Sequence, residues 1–302
     1  MAAQSRSFQT GVLLVIGATL AWSIGGTIDR FVMVDDKWVV VFWRSLFAGI
    51  FILGFMIARD GIAGTRTLLL AARWPSLIVG LCYTISTICF VLALSYTSVA
   101  KVLLIQSAVP IVAAAISWVL LREKVPLHTM FAIMAVVAGI AVIFSGSVAT
   151  GGSLIGDVLS LAIAISFALS VVVTRKYPGI RMTPAVLLGV AIAGAIAFFM
   201  SGSLAVGARD LGFLVVFGMV NLGLGLALFV TGARLIPSVL SALLSVIEPI
   251  LGPIWVWLVH GETPTQLVLF GGSIVIAALC FNMYFDWRAA NKSSVLATKP
   301  AI

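Results

Sequence analysis

The chain has 302 residues, 62% of them apolar and 9% charged, with a formal net charge of +8 and a mean hydropathy of +1.22. A water-soluble domain of this length needs far more charge to cover its surface, so lipid is the solvent for much of it. The basic excess would suit a nucleic-acid binder, but Lys and Arg fall in the segments between apolar runs, on one membrane side, which excludes that reading.

Crossing a hydrocarbon core of about 30 Å takes roughly 20 helical residues. Ten segments qualify: 10–29, 38–58, 75–95, 98–121, 127–145, 155–174, 183–201, 211–232, 237–259 and 265–286. They are continuous, without the alternation of barrel strands, and predict an all-α integral membrane protein with ten transmembrane helices. The first run is full length and lacks a small-residue cleavage site after it, so it reads as a span and not as a removable leader. The turns Ser95–Ser98 and Ala233–Ile236 are short enough to make spans three and four, and eight and nine, antiparallel neighbours. The basic stretch from Arg59 to Trp74 is the longest linker, and the Ser/Gly-rich Gly146–Gly152 joins the two halves. Residues 287–302 are predicted to form a disordered cytoplasmic tail.

With the N-terminus inside, thirteen Lys/Arg fall in cytoplasmic segments and three (Arg30, Lys37, Arg209) in outer ones, while Arg44 and Lys101 lie inside spans. This bias predicts a multi-pass protein of the cell's inner (plasma) membrane with both termini cytoplasmic.

Pro110, Trp118 and Glu123 recur as Pro249, Trp257 and Glu262, each 139 positions on, and Gly11, Trp22 and Arg30 recur as Gly156, Phe167 and Arg175, each 145 on. Two copies of an odd number of spans must lie in the bilayer with opposite orientations. The expected architecture is therefore two inverted five-helix repeats, 10–145 and 155–286, with a site between them.

Spans four and nine carry mid-helix prolines, Pro110, Pro249 and Pro253, which remove backbone bonds and mark hinges or simple kinks. Ser241, Ser245, Glu248, Gly252 and Trp255 share one helical face. Glu248, near the bilayer centre, either binds a cationic group or a proton, or hydrogen-bonds across helices to fix the kink. Arg44 is positioned to neutralise Asp157 or Asp29, or to hold the carboxylate or phosphate of a solute. Lys101 either snorkels outward or faces the cavity. Trp22, Trp43, Trp118, Trp255 and Trp257, with Tyr83, are candidates for an aromatic wall, of which one or two would touch cargo and the rest pack. Gln106, Ser107, Asn221 and Asn282 add neutral polarity inside spans. Tyr83, Thr87 and Phe90 share a face of the third. The candidate substrate-binding set is thus Trp43, Arg44, Tyr83, Thr87, Lys101, Gln106, Asn221, Ser245, Glu248 and Trp255.

Other chemistries find little support. Cys82, Cys89 and Cys280 lie within spans without ligand spacing, so neither a disulfide framework nor a metal site is expected. No GxxxxGK[ST] loop occurs, and His128 and His260 sit at opposite ends, so no cofactor and no enzymatic activity are expected.

A mid-span proline in the fourth span, the sequences Leu121-Arg122-Glu123 and His260-Gly261-Glu262, and Gly/Ala-rich following spans together resemble the EamA repeat of the drug/metabolite transporter superfamily. Ser245-Val246-Ile247-Glu248-Pro249-Ile250, with Gly232-Ala233-Arg234 and Pro237-Ser238 before it, resembles that family's ninth helix. The first copy departs from it: Val109 stands where Glu248 does. The resemblance covers 10–145 and 155–286 and implies a carrier. Members move amino acids, other small metabolites, nucleotide sugars, amines and drugs. It implies a secondary transporter that exports a small organic metabolite by alternating access. The mixed signs of the interior, Arg44 and Lys101 against Glu248, suit an amino-acid-like or amphiphilic cargo, and a proton is the candidate coupling ion with Glu248 as its site. Import or exchange of a metabolite, or multidrug and amine efflux, are the alternatives, followed by a channel or a non-transporting scaffold. Lipid and solute are the partners expected, no nucleic acid, and the protein is a monomer or homodimer.

Overall fold

The computed structural model describes residues 2–122, 126–149, 154–177, 179–233, 235–236, 244–245 and 247–297. Every element among them is helical. The first span comprises α1 (Ala2–Ser23) and α2 (Gly25–Phe31), and the next two are α3 (Lys37–Leu70) and α4 (Trp74–Tyr96). The fourth comprises α5 (Val99–Gln106) and α6 (Val109–Leu121), followed by α7 (Leu127–Ala149), α8 (Leu154–Lys176) and α9 (Thr183–Met200). The eighth runs through α10 (Ala208–Val215), a π-helical stretch (Val216–Leu224) and α11 (Gly225–Gly232). Then come α12 (Ile247–His260) and α13 (Gln266–Ala297). Nine helices among the described residues are long and apolar enough to cross a membrane, and α12, at 14 residues, is shorter. The expected ninth span, 237–259, is described only in part, because 237–243 and 246 lie outside the described residues.

Local chemistry sets the boundaries. Asp36 opens α3 by accepting a hydrogen bond from Trp38 N at 2.9 Å, and Ser98 Oγ opens α5 by accepting from Lys101 N at 3.3 Å. Pro110 has no N–H to offer the Gln106 carbonyl, and the fourth span breaks there, between Gln106 and Val109. Two boundaries differ from expectation. The linker after Arg59 is mostly helical, because α3 turns a corner at Gly61 (φ 70°, ψ 171°) and continues to Leu70. The final helix runs past 286 to Ala297, since no Gly or Pro interrupts it before Pro300.

Packing joins the two halves of the chain more than it joins neighbours in sequence. The third span packs along α8 and α9, and it meets α5 only near the turn, contrary to the antiparallel pairing that the short connection suggests. The first span packs on α11 and α12, α3 on α9 and the π-helical stretch, and α7 on α13. The main buried cluster accordingly mixes Val40, Phe90, Leu94 and Leu103 with Ile163, Phe217 and Val256. Where α7 crosses α13 the backbones touch: a Cβ on Gly139 would stand 2.8 Å from Gly271 O, and one on Gly271 2.6 Å from Gly139 O. The outer surface carries large apolar side chains such as Phe199, Phe131 and Leu258. A surface of this kind belongs against acyl chains.

Candidate functional site

The first span breaks between Ser23 and Gly25, and the carbonyls of Ala21 and Trp22 need partners from elsewhere. Asn221 supplies them: its Nδ2 donates to Ala21 O at 2.9 Å and to Trp22 O at 3.0 Å. The approach requires glycine, because a Cβ on Gly25 would lie 2.7 Å from that nitrogen. Asn221 sits inside the π-helical stretch of the eighth span. Such stretches are rare in helices and occur often at functional sites.

With Nδ2 committed, Asn221 Oδ1 accepts from Arg44 Nη2 at 3.2 Å. Arg44 is 4% exposed, and its guanidinium lies over the rings of Phe217 (4.4 Å to the centroid) and Phe90 (5.1 Å). Its Nε and Nη1 have no hydrogen-bond partner among the described residues, and neither does Oδ1 of buried Asp29. The other Asp29 oxygen stands 3.8 Å from Arg30 Nη1. Among the described residues Asp29 makes its ion pair with Arg30 and not with Arg44. A buried charge left unpaired costs about 3–5 kcal/mol, so this arrangement is a reservoir of unmet hydrogen bonding.

The helix α12 leans on the same break. Trp255 Nε1 donates to Ser23 Oγ at 3.1 Å, His260 Nε2 lies 3.1 Å from Thr27 O, and Gly252 packs against Leu103 near Ser23 O. Gly252 and Trp255 therefore turn toward the first span. Glu248, on their helical face, is half-buried. No hydrogen bond or ion pair holds it among the described residues, so the cross-helix bond that would fix the kink is not formed there. Ser245 is helical and half-buried, and Ser241 lies outside the described residues.

Beyond the break, at the end of the first span, Arg30 binds three elements. Its Nε donates to Glu262 Oε2 at 2.9 Å, Nη1 to Leu94 O at 2.7 Å and Nη2 to Thr97 O at 3.2 Å. Glu262 Oε1 in turn accepts from Val99 N at 2.8 Å. Nearby, Lys101 Nζ lies 3.6 Å from Asp157, which also accepts from Thr97 Oγ1 at 3.4 Å. Lys101 thus turns to a carboxylate rather than to open solvent, and Asp157 is partnered by it and not by Arg44.

The remaining predicted residues divide. Trp43 Nε1 donates to Leu204 O at 3.2 Å and its ring stacks on Phe47. Tyr83 meets Phe167 edge-on. Thr87 is buried and Gln106 half-buried, at the break before Pro110. Trp118 and Trp257 are 49% and 54% exposed, so they face outward and do not join an aromatic wall. Sequence reasoning missed Ser23, Phe217, and the pairing of Arg30 with Glu262. The adjacent Gly25 and Gly26 and the recurrence of Arg30 and Glu262 in both halves were the available signals.

Comparison with known proteins agrees with this architecture. The EamA-like transporter family matches at residues 9–145 and 154–284. An uncharacterized transporter of Archaeoglobus fulgidus is 28% identical over 258 residues, covering 84% of this chain and 90% of its own length. One crystal structure superposes with a TM-score of 0.66 at 16% identity, covering 93% of this chain and 99% of that one, a likeness of fold alone. With matches over both halves, this chain belongs to the EamA-like transporter family, within the drug/metabolite transporter superfamily.

Proposed function

We propose that this membrane transporter is a secondary carrier that exports a small organic metabolite, amino-acid-like or amphiphilic, across the inner membrane by alternating access. The observation that carries the reading is the broken first span, held open by Asn221 from a π-helical stretch of the other half. Interrupted helices near mid-membrane expose backbone and polar groups where a solute binds.

Two inverted five-helix repeats, ten spans in all, account for the packing. Exchanging the halves turns the contact of the third span with the sixth into that of the eighth with the first, and third-with-seventh into eighth-with-second. The moving bodies are then not the sequence halves. One body joins spans one, two, eight and nine, and the other joins three, four, six and seven, with Pro110, at the break in the fourth span, and Pro249 and Pro253, inside α12, as hinges. Arg30 and Glu262 belong to the first body, and Leu94, Thr97 and Val99 to the second. Their bonds close the outer end, while the site faces the cytoplasm. Glu248, half-buried and without a hydrogen bond or ion pair among the described residues, is the candidate for proton coupling. The charge bias supports a cytoplasmic side for both termini.

The test compares a deletion strain with an overexpressing strain by mass spectrometry of cells and medium, followed by uptake of the affected solute into proteoliposomes. A carrier accumulates its solute inside the deletion strain and shows saturable counterflow. Non-saturating flux indicates a channel, and no flux of any solute rules transport out.

A further inference from the structure

We propose that the segment after the corner at Gly61 is an interfacial helix that docks on the anionic phospholipid headgroups of the leaflet it adjoins. The proposal is independent of the carrier reading and of any cargo.

Residues 62–70 continue α3 past Gly61 and lead, through Arg73, into α4. The segment joins neighbouring ends of two spans, so it lies at the membrane surface, on the side that the charge bias assigns to the cytoplasm. Its residues sort onto three faces. Thr65 and Leu68 turn to the bundle: Thr65 is buried, and Leu68 packs on the cluster of Ile52, Met56 and Val186. Ala63 and Thr67, small and exposed, make the second face. The third carries Ile62, Arg66, Leu69 and Leu70, with Ile62 and Leu70 76% and 77% exposed. Exposed apolar side chains lead into this face from both spans, Ile57 before the corner and Trp74 and Leu77 after it. The face therefore continues the surface that meets acyl chains.

Charge selects the partner. Asp60 is the one carboxylate in residues 59–74, and it is taken by Arg59 at 2.9 Å and Arg181 at 2.8 Å. Arg66 and Arg73 are exposed, and no ion pair holds them among the described residues. Tyr177 meets Trp74 edge-on at 5.2 Å and brings the exposed Lys176 to the same end. A soluble anion would satisfy these cations and leave Ile62 and Leu70 in water. A neutral lipid surface would cover the aliphatic groups and leave the cations without counter-charge. An anionic leaflet does both, with aliphatic side chains at the headgroup boundary and guanidinium groups on phosphates.

The test uses the full-length protein in a cysteine-free background, spin-labelled singly through Ile62→Cys, Leu70→Cys or Thr67→Cys. It is reconstituted in phosphatidylcholine vesicles, or in vesicles of phosphatidylcholine and phosphatidylglycerol in equal amounts. Power saturation compares collisions with oxygen, which concentrates among acyl chains, and with a neutral nickel chelate, which stays in water. In anionic vesicles the labels at 62 and 70 should favour oxygen and the label at 67 the chelate. Omitting phosphatidylglycerol should move 62 and 70 toward the chelate. In anionic vesicles R66Q and R73Q should each lower the docked-to-lifted ratio roughly fivefold, and R66K should preserve it. Labels at 62 and 70 that behave like the label at 67 overturn the docking. Equal ratios in the two vesicle types, or no effect of R66Q and R73Q, overturn the anionic partner. Shielding of 62 and 70 from both reagents would place a protein, such as a second copy of this chain, on the face and overturn the proposal as well.

Discussion

Arg30 and Glu262 stand 232 residues apart in the chain and meet at 2.9 Å, and between them they also bind the backbone at Leu94, Thr97 and Val99. Three inter-span connections are thereby tied at one end of the molecule. Each side chain is about a quarter exposed (26% and 25%), so the pair sits between the weak surface regime and the strong buried one and contributes about 1–2 kcal/mol.

Glu262→Gln should weaken this closure by roughly fivefold to thirtyfold in the equilibrium between closed and open outer ends. The measurement is alkylation of a cysteine placed at Ser23 by a membrane-impermeant reagent added outside. Faster labelling in the variant is the expected outcome, and an unchanged rate would mean that the pair does not hold the outer end.

Asn221→Ala removes the donor for two buried carbonyls and the acceptor for Arg44 at once. A loss of about 2–4 kcal/mol is expected, read as a lower Tm of the detergent-purified protein. Retention of wild-type stability would show that the first-span break does not depend on this side chain.

Gly271→Leu should separate α7 from α13, because the first added carbon already falls 2.6 Å from Gly139 O. Even Gly271→Ala should cost about 1–3 kcal/mol. Fluorescence-detected size exclusion reads the outcome as a smaller monodisperse fraction, more so for Leu than for Ala.

Glu248→Gln should abolish transport or its pH dependence while leaving the folded yield intact. Flux measured across a pH series in proteoliposomes checks this. A variant whose flux follows the wild-type pH profile would remove the proton role.

Trp255→Phe loses the bond to Ser23 and should cost about 1 kcal/mol. Trp118→Phe and Trp257→Phe, both on the outward surface, should stay within about 0.5 kcal/mol of wild type. Parallel thermal melts separate the two classes.

Helix type and most span positions were legible because a bilayer enforces length and continuity of apolar runs, and Pro110 announced its own break. The extension of α3 through Gly61 was not, since a glycine beside charged residues reads equally as a loop. Within the site, Arg44 and Asn221 stood out as polar residues in apolar helices. Their meeting was not visible, because it depends on how the spans interleave and on a π-helical turn that leaves no periodic trace. Arg30 and Glu262 were visible as repeat markers, yet markers in two copies do not say which copy pairs with which.

Alternating access is tested most directly by spin-label distances in a cysteine-free variant, with one label pair at each end. Met33 and Leu154 report the outer end, and Gln9 and Lys176 the inner end. All four are exposed, and each pair spans the two proposed bodies. Glu262→Gln should lengthen the outer distance and shorten the inner one together. Distances at both ends that change in the same direction, or an inner distance that ignores the outer substitution, would contradict the account.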